Sequence, residues 1–453
     1  MVKRTILVAI AVAAASAVAG AERQHVFLDP KTQLTRWIDK QSHIAQQRII
    51  ANIAPFANDP LAMAGAVCAS PSRWQPDYYY SWTRDSALTM SEIIKWLPSA
   101  IAGNNATYAR QLERTIDDYV QFTRHVQQMD SKYGLGEAKY HMDGAAFTKS
   151  WCNAQPDGPA ARALSLIEYA QYKQSRGRDI APLVPLIRTD LDYVARVWRE
   201  NVHCDIWEES RGLHFYTLSM QRRALQQGAQ LLGFSEYAMA ASRIDLQLPR
   251  FWDSRRGYVV TTLEQTPSSG GIQSKTSNLD AQVVLAALHG DTEAAGLGIA
   301  SREMMATVAA LVRRFEPLYS VNRVMATDIN GAVVPIGAAI GRYPEDVYDG
   351  VGSSRGNPWS LVTSTIAEYH YRLALVYAEA SKDVASEMAR YLLTTGDLYM
   401  ARVARHTAAD GTMCEQWAAR TGFGRGAVDL TWSYVAHTSA ARARHRLVAA
   451  LDL

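Results

Sequence analysis

Helical periodicity that returns along nearly the whole chain constrains its fold more than any other feature. From Leu34 onward apolar residues recur at three- and four-residue spacing. Leu112, Ile116, Tyr119 and Val120 make one stripe, and Leu191, Val194, Ala195 and Trp198 another, with Thr189 as its expected N-cap. Helices are expected near 31–53, 84–100, 108–129, 159–175, 179–200, 217–242, 277–289, 295–316, 358–379, 381–404 and 429–448, eleven or twelve in all. Strand signals are few and short, as at Gly257–Thr262. No linker sets off a second module. The chain therefore reads as one all-α domain carrying its chemistry in long loops, chiefly Ala69–Tyr80, Ser131–Pro159, Glu264–Thr276 and Arg342–Pro358.

Composition narrows the function. A hydrophobic content of 48% with 20% charged residues suits a chain that buries a sizeable core. Its 47 basic and 44 acidic residues nearly cancel and form no basic tract, so nucleic acid is not an expected partner. Tyr and Trp number 22 and 11 against 9 Phe, a bias toward rings with a polar handle, which suit a surface that is half apolar and half hydrogen-bonding. Residues 1–20 place Lys3 and Arg4 before an apolar run and then small residues, the pattern of a secretory signal peptide. The remainder, 21–453, shows no second apolar run of spanning length, so a soluble, secreted monomer without membrane contact is expected. Asn105-Ala106-Thr107 is a glycosylation acceptor sequence consistent with that route. Four cysteines, Cys68, Cys152, Cys204 and Cys414, show no zinc-binding spacing, and one or two disulfides are compatible with an oxidising compartment, the pairing left open. No metal and no organic cofactor is expected.

The acidic stretch Asp205-Ile206-Trp207-Glu208-Glu209-Ser210 stands out against this background. Acidic clusters are usually solvated helix faces, but a tryptophan beside a carboxyl group can strip it of water and keep it protonated, which makes a general acid. A second Glu-Trp neighbourhood lies at Glu415-Gln416-Trp417, and aromatic residues precede an Arg-Asp pair in DYYYSWTRDS, from Asp77 to Ser86. Two carboxylates in sugar-friendly surroundings are the minimum machinery of a glycosidase. Asp205 and Glu208, if helical, would stand about 5–6 Å apart at their Cβ atoms, tight for an inverting gap of roughly 6.5–9.5 Å between carboxyls. Glu415 is therefore preferred as the base opposite the acid Glu208, with Asp205 as the fallback base and Glu209 in support. The glycines between Gly341 and Gly356 lack phosphate-loop spacing.

Taken in order, DYYYSWTRDS, GLGEAKY, SWCNAQPDGPAARA, LIRTDLDYVARVW, DIWEES, QRRAL, GRYPEDVY, GNPW, MCEQW and DLTWSY resemble the fungal-type glucoamylases of glycoside hydrolase family 15. The resemblance implies an (α/α)6 barrel of twelve helices with a pocket closed to a single chain end. It implies exo-hydrolysis of α-1,4-linked, and more slowly α-1,6-linked, glucose from starch, glycogen and maltooligosaccharides, releasing β-glucose by inversion. It assigns Glu208 as general acid and Glu415 as general base, and places Tyr78, Trp82, Arg84, Asp85, Trp151, Glu209, Arg342 and Trp432 in the first subsites. Trp207 joins them as an expected substrate-binding residue. Asp205 and Glu209, if ionised, are expected to disfavour ionisation of Glu208. Cys152, Cys204 and Cys414 depart from the pattern expected beside these motifs. A starch-binding domain is not expected, which would make granular starch a poorer substrate than soluble dextrins. Trehalose or a dextran as the substrate, and a non-catalytic carbohydrate-binding protein, are the rival readings.

Overall fold

The structure, a computed structural model, describes residues 33–56, 58–152, 154–267, 275–327, 332–380 and 384–453. The expected leader at 1–20, residues 268–274 of the Glu264–Thr276 loop, and the first residues of the helices expected from 31 and from 381 lie outside the described residues.

Twelve α-helices occur among the described residues: α1 (Gln33–Ala51), α2 (Thr83–Ala102), α3 (Ala106–Gln127), α4 (Asp157–Ser175), α5 (Val184–Val197), α6 (Phe215–Leu232), α7 (Ser235–Asp245), α8 (Gln282–His289), α9 (Arg302–Phe315), α10 (Ser360–Ala380), α11 (Val384–His406) and α12 (Thr431–Ala450). They separate into two rings by how their apolar residues are spread. In α9 the buried residues Met304, Thr307, Val308, Leu311 and Phe315 form one stripe, leaving the opposite face to water. In α4 burial is continuous from Asp157 to Ile167, so this helix must be covered on every side. The even-numbered helices touch one another in the cyclic order α2–α4–α6–α8–α10–α12–α2, and the odd-numbered helices pack outside them. The result is an (α/α)6 barrel.

Two local expectations give way. The helix expected at 217–242 is two helices, because Gly233 adopts the left-handed conformation (φ 77°) and ends α6, while Phe234 is extended. Leu231, Leu232 and Tyr237 carry the apolar pattern across the break and hide it. Thr189 is not an N-cap: α5 begins at Val184 with Pro185 in its first turn, and the Thr189 hydroxyl donates to the Pro185 carbonyl at 2.9 Å within the helix.

Links from an inner helix to the next outer one are the shorter set, running among the described residues from two residues at 233–234 to twelve at 290–301. Links from an outer helix to the next inner one are long and include short antiparallel strand pairs, such as Ser81–Trp82 with Lys139–Tyr140 and Ser210–His214 with Thr262–Pro267. Every long loop therefore gathers at the N-terminal ends of the inner helices. Towards their C-terminal ends lies a cavity lined by Glu92, Glu168, Arg223, Glu368, Arg372 and Arg442 among others. There Arg442 meets Glu92 at 2.6 Å, Arg223 meets Glu168 at 3.2 Å and Arg372 meets Glu368 at 2.5 Å, so these charges compensate one another.

Candidate active site

At the loop end, Ala69, Tyr78, Trp82, Arg84, Asp85, Ile206, Trp207, Glu208, Arg342, Trp359, Glu415, Leu430 and Trp432 surround a pocket whose empty volume is about 490 Å³ out to its mouth. Arg84 and Asp85 belong to the first turn of α2, Trp432 to that of α12, and Trp359 immediately precedes α10. Helix N-termini thus face the pocket with their positive dipole ends.

Glu208 is set in the left-handed region (φ 66°), where a residue with a Cβ is strained unless its surroundings hold it. Asp205 supplies that hold. Its Oδ1 accepts the backbone amides of Glu209 at 2.8 Å and Ser210 at 3.1 Å, and its carbonyl accepts that of Glu208 at 3.0 Å. The segment is a tight turn rather than the helix entertained above, and the left-handed residue sends Glu208 into the pocket. Glu208 Oε1 accepts from Trp82 Nε1 at 2.8 Å and from Gln155 Nε2 at 2.9 Å. The ring touching the carboxyl is therefore Trp82, 126 residues away. Trp207, its sequence neighbour, instead donates to Asp280 at 2.8 Å and stacks on Trp432.

Asp205 is fully buried, lies outside the pocket lining, and meets Lys275 Nζ at 2.6 Å. Burial works against its charge, but Lys275, His214 and the backbone amides outweigh it and hold the carboxyl well below the usual carboxylate range. Lys275 also reaches Asp280 at 2.8 Å. Fully buried behind the pocket lining and paired with Lys275, Asp205 does not reach a water in the pocket, which is the physical reason it does not serve as the fallback base. Asp205 is matched by Lys275 and Glu209 by Arg342, so whatever charge they carry is compensated rather than set against Glu208 as expected for the ionised pair.

Glu415 lies on the same pocket, in different company. Its Oε1 accepts from the Tyr78 hydroxyl at 2.9 Å; its Oε2 accepts from the Tyr348 hydroxyl at 3.3 Å and the Ala427 amide at 3.4 Å. Burial pushes it up to about 7, although these donors and Arg342 favour the charged form. Gly426 (φ 73°) lets the backbone pass close by: a Cβ there would lie 2.2 Å from Glu415 Oε2. Tyr78 packs on Trp82 with ring centroids 5.4 Å apart, so an aromatic pair links the supports of the two carboxylates.

Four charged groups complete the floor. Arg84 bonds Gln155 at 2.9 Å and Asp157 at 3.0 Å and lies 3.4 Å from Asp85. Burial raises Asp85 to about 6 against the pull of Arg84. Arg342 grips Asp346 through Nε (2.8 Å) and Nη2 (2.7 Å), meets Glu209 Oε1 at 2.6 Å, and lies 5.5 Å from the Trp207 ring and 5.2 Å from that of Trp359. Glu209, which also accepts from Tyr343 at 2.6 Å, stands behind Arg342, and burial raises it to about 7 in spite of that cation. Trp151 is 41% exposed and is not among the pocket-lining residues; the Lys139 ammonium lies 3.6 Å from its ring centroid and 4.4 Å from that of Trp82. Burial lowers Lys139 to about 8 while Glu208 works against the shift. Cys152 is disulfide-bonded to Cys204, tethering the Trp151–Gln155 segment to the turn that carries Glu208; Cys68 and Cys414 are free thiols.

Of the expected residues, the pocket brings together Tyr78, Trp82, Arg84, Asp85, Trp207, Glu208, Arg342, Glu415 and Trp432. Lys139, Gln155 and Tyr348 lie inside the stretches GLGEAKY, SWCNAQPDGPAARA and GRYPEDVY without a role assigned from the sequence, and Lys275 and Asp280 lie outside the motif stretches; each meets a partner far along the chain.

The same arrangement of helices is found in known proteins. The family described as Glycosyl hydrolases family 15 matches residues 43–442. A glucoamylase of Blastobotrys adeninivorans is 34% identical over 474 residues, covering 92% of this chain and 73% of that protein. Glucoamylase 1 of Rhizopus oryzae is 31% identical over 451 residues, covering 91% and 71%. The solved glucoamylase of Saccharomycopsis fibuligera superposes with a TM-score of 0.80 at 27% identity, over 96% of this chain and 99% of that one. The family 15 glucoamylase of Hypocrea jecorina gives 0.78 at 30% identity, over 92% and 75%. By sequence and by fold, this chain belongs to glycosyl hydrolases family 15.

Proposed function

We propose that the protein is an exo-acting, inverting glucoamylase. It takes terminal α-1,4-linked, and more slowly α-1,6-linked, glucose from the non-reducing ends of starch, glycogen and maltooligosaccharides and releases β-D-glucose. The observation that carries the reading is a pair of carboxyl groups in contrasting company on one pocket. Glu208 Oε1 is committed to two N–H donors, so the proton of its neutral form sits on Oε2, free to pass to the glycosidic oxygen. Glu415 accepts from three donors, which suits a carboxylate, and its raised affinity for a proton makes it a stronger base toward water. As the bond to the leaving sugar breaks, Glu208 gives up its proton, Glu415 takes one from the attacking water, and the anomeric centre inverts.

The remaining residues orient the sugar. Arg84 and Asp85 from α2 and Arg342, backed by Glu209, offer paired donors and acceptors to the hydroxyls of the terminal glucose. Trp82, Trp207 and Trp432 give it apolar walls. Secretion is part of the proposal, supported by Lys3, Arg4 and the apolar run that follows, and a monomeric state is proposed with it; among the described residues no helix is long and apolar enough to cross a membrane.

The test is to incubate the purified protein with maltoheptaose, isomaltose and trehalose and to follow products and anomer by NMR. β-Glucose from maltoheptaose is expected, and Glu208→Gln or Glu415→Gln should lower kcat by at least about 100-fold. A variant that kept near-normal kcat would remove that residue from its role, and release of α-glucose would refute inversion.

A further inference from the structure

We infer that Trp74 forms an outer sugar-binding platform beside the pocket, on which the part of the glucan chain outside the catalytic pocket stacks. This inference rests on the glucan reading above and extends it to a residue that lies outside the pocket. Trp74 is 78% exposed, and among the described residues no other aromatic ring packs against it. A large ring left in water costs free energy unless something covers it.

Its presentation is rigid. Ala69 donates its amide to the Tyr80 carbonyl at 2.9 Å, Ser70 to Tyr78 at 3.2 Å, and Tyr78 to Ser72 at 2.9 Å, so residues 69–80 form a closed loop with Trp74 near its tip. The Ser72 hydroxyl is within 3.2 Å of the Trp74 carbonyl and 2.8 Å of that of Pro76. Arg73 bonds Asp59 at 3.1 Å while lying 3.6 Å from the Tyr79 ring centroid, and the Tyr79 hydroxyl donates to the same Asp59 at 2.7 Å. Leu61, itself 81% exposed, donates its amide to Asp59, so two fully presented apolar side chains flank one braced ion pair.

The occupant follows from continuity with the site. The base of this loop supplies Ala69 and Tyr78 to the pocket wall, and Tyr78 holds Glu415. Trp74 precedes Tyr78 by four residues, so their Cα atoms are at most about 14 Å apart. A chain whose terminal glucose fills the pocket must leave through the mouth, and a few sugar units suffice to reach the ring. Sugar rings present apolar C–H faces that stack on indole, and stacking does not depend on the polar contacts of the pocket.

The test is Trp74→Ala in the full chain, with Trp74→Tyr beside it, assayed on maltose and on maltoheptaose. The exposed position makes both variants fold with an unchanged Tm. For Trp74→Ala the expected result is a loss of about three- to tenfold in kcat/KM on maltoheptaose, carried by KM with kcat unchanged. Maltose is too short to reach the ring and should be unaffected, and Trp74→Tyr should recover most of the loss. Equal losses on both sugars would overturn the platform in favour of a structural role, and no loss on either would overturn it outright. Wild-type protein that released glucose from neither sugar would refute the glucan reading and this inference together, an outcome distinct from the other two.

Discussion

Replacing Lys275 by Met is the sharpest test of how the turn carrying Glu208 is held. The Lys275 ammonium lies 2.6 Å from Asp205 and 2.8 Å from Asp280, and all three side chains are shut off from water. Methionine keeps the length of the chain and removes the charge, leaving two buried carboxylates without their cation. Asp280 keeps Trp207 and Gln282 as donors, and Asp205 keeps two amides, so the residual hydrogen bonds soften the loss without cancelling it. Removing one partner of a buried ion pair costs about 3–5 kcal/mol. An unfolding entropy of about 2.1 cal/mol/K per residue gives about 0.95 kcal/mol/K for 453 residues, so Tm should fall by about 3–5 °C at neutral pH.

The pH dependence fixes the mechanism behind that number. In the wild type the Asp205 carboxyl is held below its unfolded value, so its stabilisation is complete above the ordinary carboxylate range and is lost only as pH falls into strong acid. Without Lys275 burial dominates and the carboxyl rises above its unfolded value. A group of that kind stabilises below its unfolded pKa and loses the contribution as pH rises. The difference in Tm between the two proteins should therefore be smaller at pH 4 than at pH 7, widening over that interval as the variant loses its contribution. Thermal unfolding followed by circular dichroism at both pH values measures it. A difference that stayed constant with pH would refute the reasoning, because it would show that the ammonium was not compensating buried charge.

Two further predictions concern Glu415. Tyr78→Phe removes the hydroxyl that favours its charged form. The lost hydrogen bond is one to a charged acceptor, worth about 1.5–3 kcal/mol, so the acid limb of the kcat/KM profile should move to higher pH by about 1–2 units, and an unmoved limb would show that Glu415 does not set it. Gly426→Ala forces a Cβ to within 2.2 Å of Glu415 Oε2 at a positive φ. It should lower kcat about tenfold or more through displacement of the base, read in a steady-state assay against maltoheptaose; an unchanged kcat would place the base elsewhere.

The sequence made the helices legible because an amphipathic stripe is local. Leu112, Ile116, Tyr119 and Val120 declare α3 without reference to anything else. Closure of the ring is not local: it depends on α12 returning to α2, a contact between the two ends of the chain that no periodicity encodes. The motif stretches could be found because each packs aromatic and charged residues into a few positions. Gln155, though inside one of those stretches, had no legible role because its meaning comes from Glu208, 53 positions on, as that of Lys275 comes from Asp205, 70 positions back. The reading of Trp207 erred for a related reason. Neighbours in a turn with one left-handed residue do not share a direction, so the ring meant to shield the acid came from another loop.

Because the long loops collect at the inner helices' N-terminal ends, the opposite face of the barrel is joined by short links such as Gly233–Phe234. That face offers a place to tether the protein to a bead or fuse it to another module, with the pocket left turned toward the medium.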